Sequence, residues 1–78
     1  MRRAFMDEDL LEWEAFVSGG QPDTPAAARI YFVCLTDPFE RPRWVRHESG
    51  DVARAQRELG KLADEELRSL LGEAQPLN

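Results

Sequence analysis

Ala28-Arg29-Ile30-Tyr31-Phe32-Val33-Cys34-Leu35 decides the fold. The run is rich in β-branched and aromatic residues and has turn-forming residues on both sides, which is the pattern of a strand. Ile30, Phe32 and Cys34 fall on one face, and Tyr31, Val33 and Leu35 on the other. Both faces are apolar, so the expectation is burial on both faces or a central place in a sheet. The residues that follow, Thr36-Asp37-Pro38-Phe39-Glu40-Arg41-Pro42, make a loop, because Asp-Pro opens turns and the second Pro delays renewed pairing. Arg43 to Glu48 is the next strand. Trp44, Arg46 and Glu48 alternate with Arg43, Val45 and His47, a mixed polarity that suits an edge. The two runs together predict an antiparallel hairpin.

Upstream, Leu10 to Val17 carries two patterns. Met6, Leu10, Trp13 and Val17 have near-helical spacing, with Asp7 available as a cap. Leu11, Trp13, Ala15 and Val17 share one face of a strand, with Glu12 and Glu14 on the other. A lone hairpin is marginal in water, and a third strand gives a sheet worth packing against, so the strand reading is preferred. The polar stretch Ser18 to Pro25 is a turn.

Downstream, Ser49 or Asp51 can cap a helix whose apolar stripe is Val52, Ala55, Leu59 and Leu62. Gly60 weakens it. A second helix starts after Ala63 with Asp64 as its cap, acids in its first turn, and Leu67, Leu70 and Leu71 turned inward. Pro76 ends the helical region. The expected fold is α+β: a small antiparallel sheet, three strands in preference to two, with two C-terminal helices packed on one face. Residues 1–78 form one domain, with loose ends at about 1–8 and 74–78. The expected core is Trp13, Val17, Ile30, Phe32, Val33, Leu35, Val45, Val52, Leu59, Leu62, Leu67, Leu70 and Leu71.

The composition bounds the function. The chain has 78 residues, 42% hydrophobic and 32% charged, which is ordinary for a folded domain. A chain this short buries only about 60% of its unfolded surface, and its core supplies only ~3–5 kcal/mol of net stability. Association with a partner or a second copy is therefore expected. The net charge of -5 disfavours general nucleic-acid binding, which needs clustered cations. That charge is uneven: residues 1–28 carry -4, residues 29–50 carry +1 and residues 51–78 carry -2. Met1-Arg2-Arg3-Ala4-Phe5-Met6 is not expected to act as an export signal, because Asp7-Glu8-Asp9 stands where an apolar stretch is required. With no membrane-spanning run and one free thiol, a reducing cytoplasm is the expected location.

Chemistry-bearing patterns are sparse. One His and one Cys do not make a zinc site, and no cofactor motif is present: Gly19-Gly20 lacks the spacing of a phosphate loop. Cys34 reads as a buried structural thiol and His47 as a surface strand residue. Nucleophilic catalysis would need His47 beside Ser49 or Cys34, and paired carboxylates would need a cleft. An enzyme would require a pocket lined by His47 and an acid. The expectation is a non-enzymatic protein-interaction module, self-association included. Its contact residues are Phe39, Arg41, Arg43, Trp44, Arg46 and His47, since Arg and Trp dominate interface hot spots. The alternative is weak single-stranded nucleic-acid binding by the same Arg/Trp hairpin.

Overall fold

A computed structural model describes residues 2–18, 28–47 and 51–77. Its elements are β1 (Arg2–Met6), β2 (Glu12–Ser18), β3 (Arg29–Cys34), β4 (Arg43–Arg46), α1 (Val52–Lys61), α2 (Asp64–Glu73) and β5 (Gln75–Pro76). The strands form one antiparallel sheet in the order β1-β2-β3-β4-β5. Both helices lie on one face, with α1 against β2 and β1, and α2 against β1 and β4. The α+β class is as expected, but five strands replace three. None of the helices among the described residues is long and apolar enough to cross a membrane.

The preferred strand reading of Leu10 to Val17 holds for Glu12–Ser18, and Trp13, Ala15 and Val17 are buried on its inner face. The two added strands come from segments read as loose ends. Phe5 is why β1 forms. It pairs with Trp13 across the strands and meets Phe32 edge-on, at 6.1 Å between ring centroids. β5 follows α2 and pairs with Arg43 and Trp44, so β4 is covered along its first half and is not a bare edge. Pro76 fits there because the outermost strand can lack a donor.

Asp7 organises the β1–β2 turn. Its carboxylate accepts from the Asp9 and Leu11 backbone N–H groups at 2.8 and 2.9 Å, and from Trp13 Nε1–H at 2.8 Å. That network holds Leu10 at φ 64°, a left-handed conformation that strains a non-glycine residue. Asp7 is therefore a turn residue, neither a helix cap nor part of a solvated tail.

Asp51 caps α1, accepting from Ala53 N–H at 3.0 Å. The break near Ala63 is present, but Ala63 itself is the cap of α2 and Asp64 is its first residue. The expected Asp64 cap is thus displaced by one position. Ala63 has no acceptor side chain; instead the Glu66 carboxylate accepts from Ala63 N–H at 3.0 Å. Arg3 locks this junction to the sheet. Its Nη1 lies 3.0, 3.3 and 2.8 Å from the carbonyl oxygens of Leu59, Gly60 and Leu62, and its Nη2 lies 3.3 Å from Asp64 Oδ1. These carbonyls are the ones a helix end leaves without partners, so a guanidinium there satisfies them and opposes the helix dipole.

The buried core is Phe5, Trp13, Ala15, Val17, Ala28, Ile30, Phe32, Ala55, Leu59, Leu67 and Leu71. Of the expected core, Val45, Val52, Leu62 and Leu70 are only partly buried against it, and Val33 and Leu35 are not in it. They lie on the helix-free side of β3, where Val33 is half-covered and Leu35 is 51% exposed. Of the two alternatives for β3, the central place in the sheet is the one that holds; burial on both faces does not, because both helices take the same side.

Candidate functional site

The six proposed contact residues do not form one surface. Phe39 and Arg41 sit in the β3–β4 loop. Asp37 builds its turn: the carboxylate accepts from Phe39 N–H at 2.9 Å, and the carbonyl accepts from Glu40 N–H at 3.2 Å. The turn holds Phe39 out at 91% exposure. Arg43 points the other way, toward the helices. Its guanidinium lies 5.1 Å from the Trp13 ring centroid, its Nη1 reaches Leu71 O at 3.4 Å, and its Nη2 is 3.8 Å from Glu40. Arg43 is therefore a structural residue at the end of α2. His47 also faces the helices, where Nε2 meets Glu58 Oε2 and Arg54 Nε reaches the other carboxylate oxygen at 3.3 Å. It is not a surface residue, since its side chain is 12% exposed.

Trp44 and Arg46 remain together on the helix-free face, where they join residues that sequence reading left out. The register aligns Arg2, Phe16, Tyr31, Trp44 and Gln75 in one row across all five strands. Phe16 and Tyr31 are stacked, with centroids 5.7 Å apart and planes 21° from parallel. The Arg2 guanidinium sits 5.2 Å from the Phe16 centroid, and that of Arg29 sits 4.5 Å from the Trp44 centroid. Arg2 is neutralised by Glu14 at 2.8 Å.

Arg29 and Arg46 stand directly opposite each other on β3 and β4. Like charges so placed repel. Neither has an ion-pair partner among the described residues. Two cations at opposed positions, with one over Trp44, are an arrangement that can take a negatively charged group against an aromatic ring. The signal was present in sequence as alternation, since Phe16, Tyr31 and Trp44 each take the strand face opposite the buried set. Only the register could bring them into one row.

A second feature lies between β3–β4 and the helices. It is a groove of about 510 Å³ with Ile30, Val45, Leu62 and Leu70 among its walls and His47 and Glu58 at its rim. It meets the condition of a pocket lined by His47 and an acid. Partial desolvation opposes ionisation of Glu58, but its bonds with His47 and Arg54 outweigh that and hold its carboxyl below the usual carboxylate range. No Ser, Thr, Cys or Lys lies among the described lining residues. Cys34 cannot reach it: His47 N–H bonds to Ala28 O, so Cys34 lies six residues further along β3, about 20 Å away at strand rise. Ser49 lies outside the described residues. Cys34 itself is only partly covered, with Sγ 3.8 Å from Thr36 Oγ1. Among the described residues no three His, Cys, Asp or Glu side chains group as metal ligands do.

Comparison with protein-family models, with curated proteins and with solved structures found no match.

Proposed function

We propose that the chain is a non-enzymatic interaction module that docks a partner protein on its helix-free sheet face. The observation that carries this reading is the Arg29–Arg46 pair beside the Trp44 ring. Like charges at directly opposed strand positions disfavour the free protein, and a carboxylate from a partner relieves that. Aromatic and Arg side chains are also those that supply most interface energy. The partner chemistry that fits is an apolar segment carrying one or a few acidic side chains. The groove at His47 is secondary, because no nucleophile faces it from the described residues.

The test is capture from the native host with the wild-type chain, Trp44→Ala and Arg46→Glu, all verified as folded. A partner retained by the wild type and lost by both variants is the expected result. A partner held equally by all three would overturn the reading.

The same three side chains also favour a second reading, single-stranded nucleic acid, with a phosphate on the Arg pair and a base on an exposed ring edge. Titration with mixed oligonucleotides at low salt separates the two, since nucleic-acid binding would weaken steeply as salt is raised.

A further inference from the structure

The outer edge of β1 offers a different surface, independent of the docking face. Asp7 N–H bonds inward to Leu11 O, and hydrogen-bonding direction alternates along a strand. Phe5 and Arg3 therefore also bond toward β2, while the backbone groups of Arg2, Ala4 and Met6 point away from the sheet. The outer edge at the opposite side of the sheet is blunted, since β5 is two residues long and ends in Pro76. On β1 the guard is slight. Arg68 Nη1 bonds Met6 O at 3.1 Å, and Ala4 at the strand centre is exposed and uncharged.

We infer that β1 pairs antiparallel with β1 of a second copy about a two-fold axis at Ala4, giving one continuous ten-stranded sheet. Strand length and charge together select this register, which alone pairs all five residues of β1 without opposing like charges. It sets Arg2 opposite the partner's Met6 and Ala4 opposite the partner's Ala4, and every residue so paired has outward-pointing backbone groups. A slip of two residues one way would set Arg3 against the partner's Arg3, and a slip the other way would leave only Ala4 to Met6 of each strand paired and set Arg3 against the partner's Asp7, whose carboxylate is already held by the Asp9, Leu11 and Trp13 N–H groups. The chosen register also places Arg2 two strands from the partner's Glu12, since Met6 is itself opposite Glu12. It covers Met6, which is 46% exposed in the single chain. Both helix-free faces end on the same side of the joined sheet, because a two-fold axis normal to the sheet keeps its faces apart. The association would therefore double the aromatic rows without covering them.

The test is sedimentation of the wild type, Ala4→Ser, Ala4→Lys and Trp44→Ala from micromolar to millimolar concentration. The expected result is twice the 8.9 kDa chain mass at high concentration for the wild type, Ala4→Ser and Trp44→Ala, and the single-chain mass for Ala4→Lys. Position 4 is exposed and the Glu14 opposite it is already paired with Arg2, so the introduced ammonium stays charged at the strand edge while the fold is kept, as near-ultraviolet dichroism would report. The register has its own readout. Ala4→Cys in a Cys34→Ser background should form an intermolecular disulfide under mild oxidation, because paired residues of this kind have Cα atoms about 5.5 Å apart. A single-chain mass for the wild type at every concentration overturns the inference. So does a dimer that survives Ala4→Lys, or one lost through Trp44→Ala, which would put the contact on the aromatic face. Loss of partner capture with the dimer intact overturns only the docking reading.

Discussion

Trp13 and Trp44 sit on the same sheet, each beside an arginine, and serve opposite purposes. Trp13 is 1% exposed, its indole N–H is bonded to Asp7, and Arg43 lies over its ring and is itself tied to α2. Trp44 is half-covered, and Arg29 lies over its ring. The adjacent pair Arg2 and Arg3 repeats the contrast. Arg3 bonds the α1–α2 junction, while the side chain of Arg2 is 68% exposed and meets one glutamate. A residue type does not fix a role here. The role follows from whether the helices lie over that side of the pleat, which parity along each strand decides.

Substitution can break this contrast directly. Trp13→Ala should cost about 3–5 kcal/mol, the whole net stability expected of a chain this size, so it should be unfolded in water by circular dichroism. Trp44→Ala should cost about 1 kcal/mol or less, the worth of its cross-strand and cation–π contacts. Equal losses in urea denaturation would erase the distinction between the faces. Arg3→Ala should cost about 2 kcal/mol, since it strips charged hydrogen bonds from helix-end carbonyls. Arg2→Ala should change stability by less than about 1 kcal/mol, as exposed ion pairs do. Gly72→Ala should stabilise by about 0.5–1 kcal/mol, because an added Cβ at this helical position meets nothing within 4 Å.

The smallest effect concerns pH. Burial works against ionisation of Asp7, but hydrogen bonds from Trp13, Leu11 and Asp9 and the nearby Arg43 charge prevail, so its folded pKa is lowered. Glu58 is lowered as well. A lowered carboxyl stabilises the fold above its unfolded value, and that contribution is lost as pH falls through the folded value. Melting temperature should therefore hold near neutrality and fall in acid. Asp7→Asn should flatten part of that fall, and an unchanged acid limb would exclude Asp7 as a contributor.

The strand at Ile30–Phe32 and the two-helix tail were legible because each carries its own periodicity, whereas β2 carried two patterns and was settled by the need for a third strand. β1 was not. Five residues opening on Arg2-Arg3 have little local preference for a strand, and they form one because Phe5 has a site between Trp13 and Phe32. β5 was hidden by Pro76, a helix stop by local rules that also suits an outer strand. The small core residues Ala15, Ala28 and Ala55 were passed over because their burial reflects close backbone approach more than hydrophobic mass. Of the candidate site, Trp44 and Arg46 were legible from hairpin composition. Phe16, Tyr31 and Arg29 were not, since their neighbours lie on other strands.

Alternation and helical spacing are properties of neighbours in the chain, so the amino-acid order alone determined the β3–β4 hairpin, the two helices and the α+β class. Strand register, the side taken by both helices and the resulting split of Arg43 from Trp44 depend on contacts between residues far apart in sequence. Those contacts form only when the chain closes on itself, because burying Phe5, Trp13 and Phe32 under Leu59 and Leu67 selects one register and one covered face. The aromatic row and the opposed arginines are what that choice left uncovered.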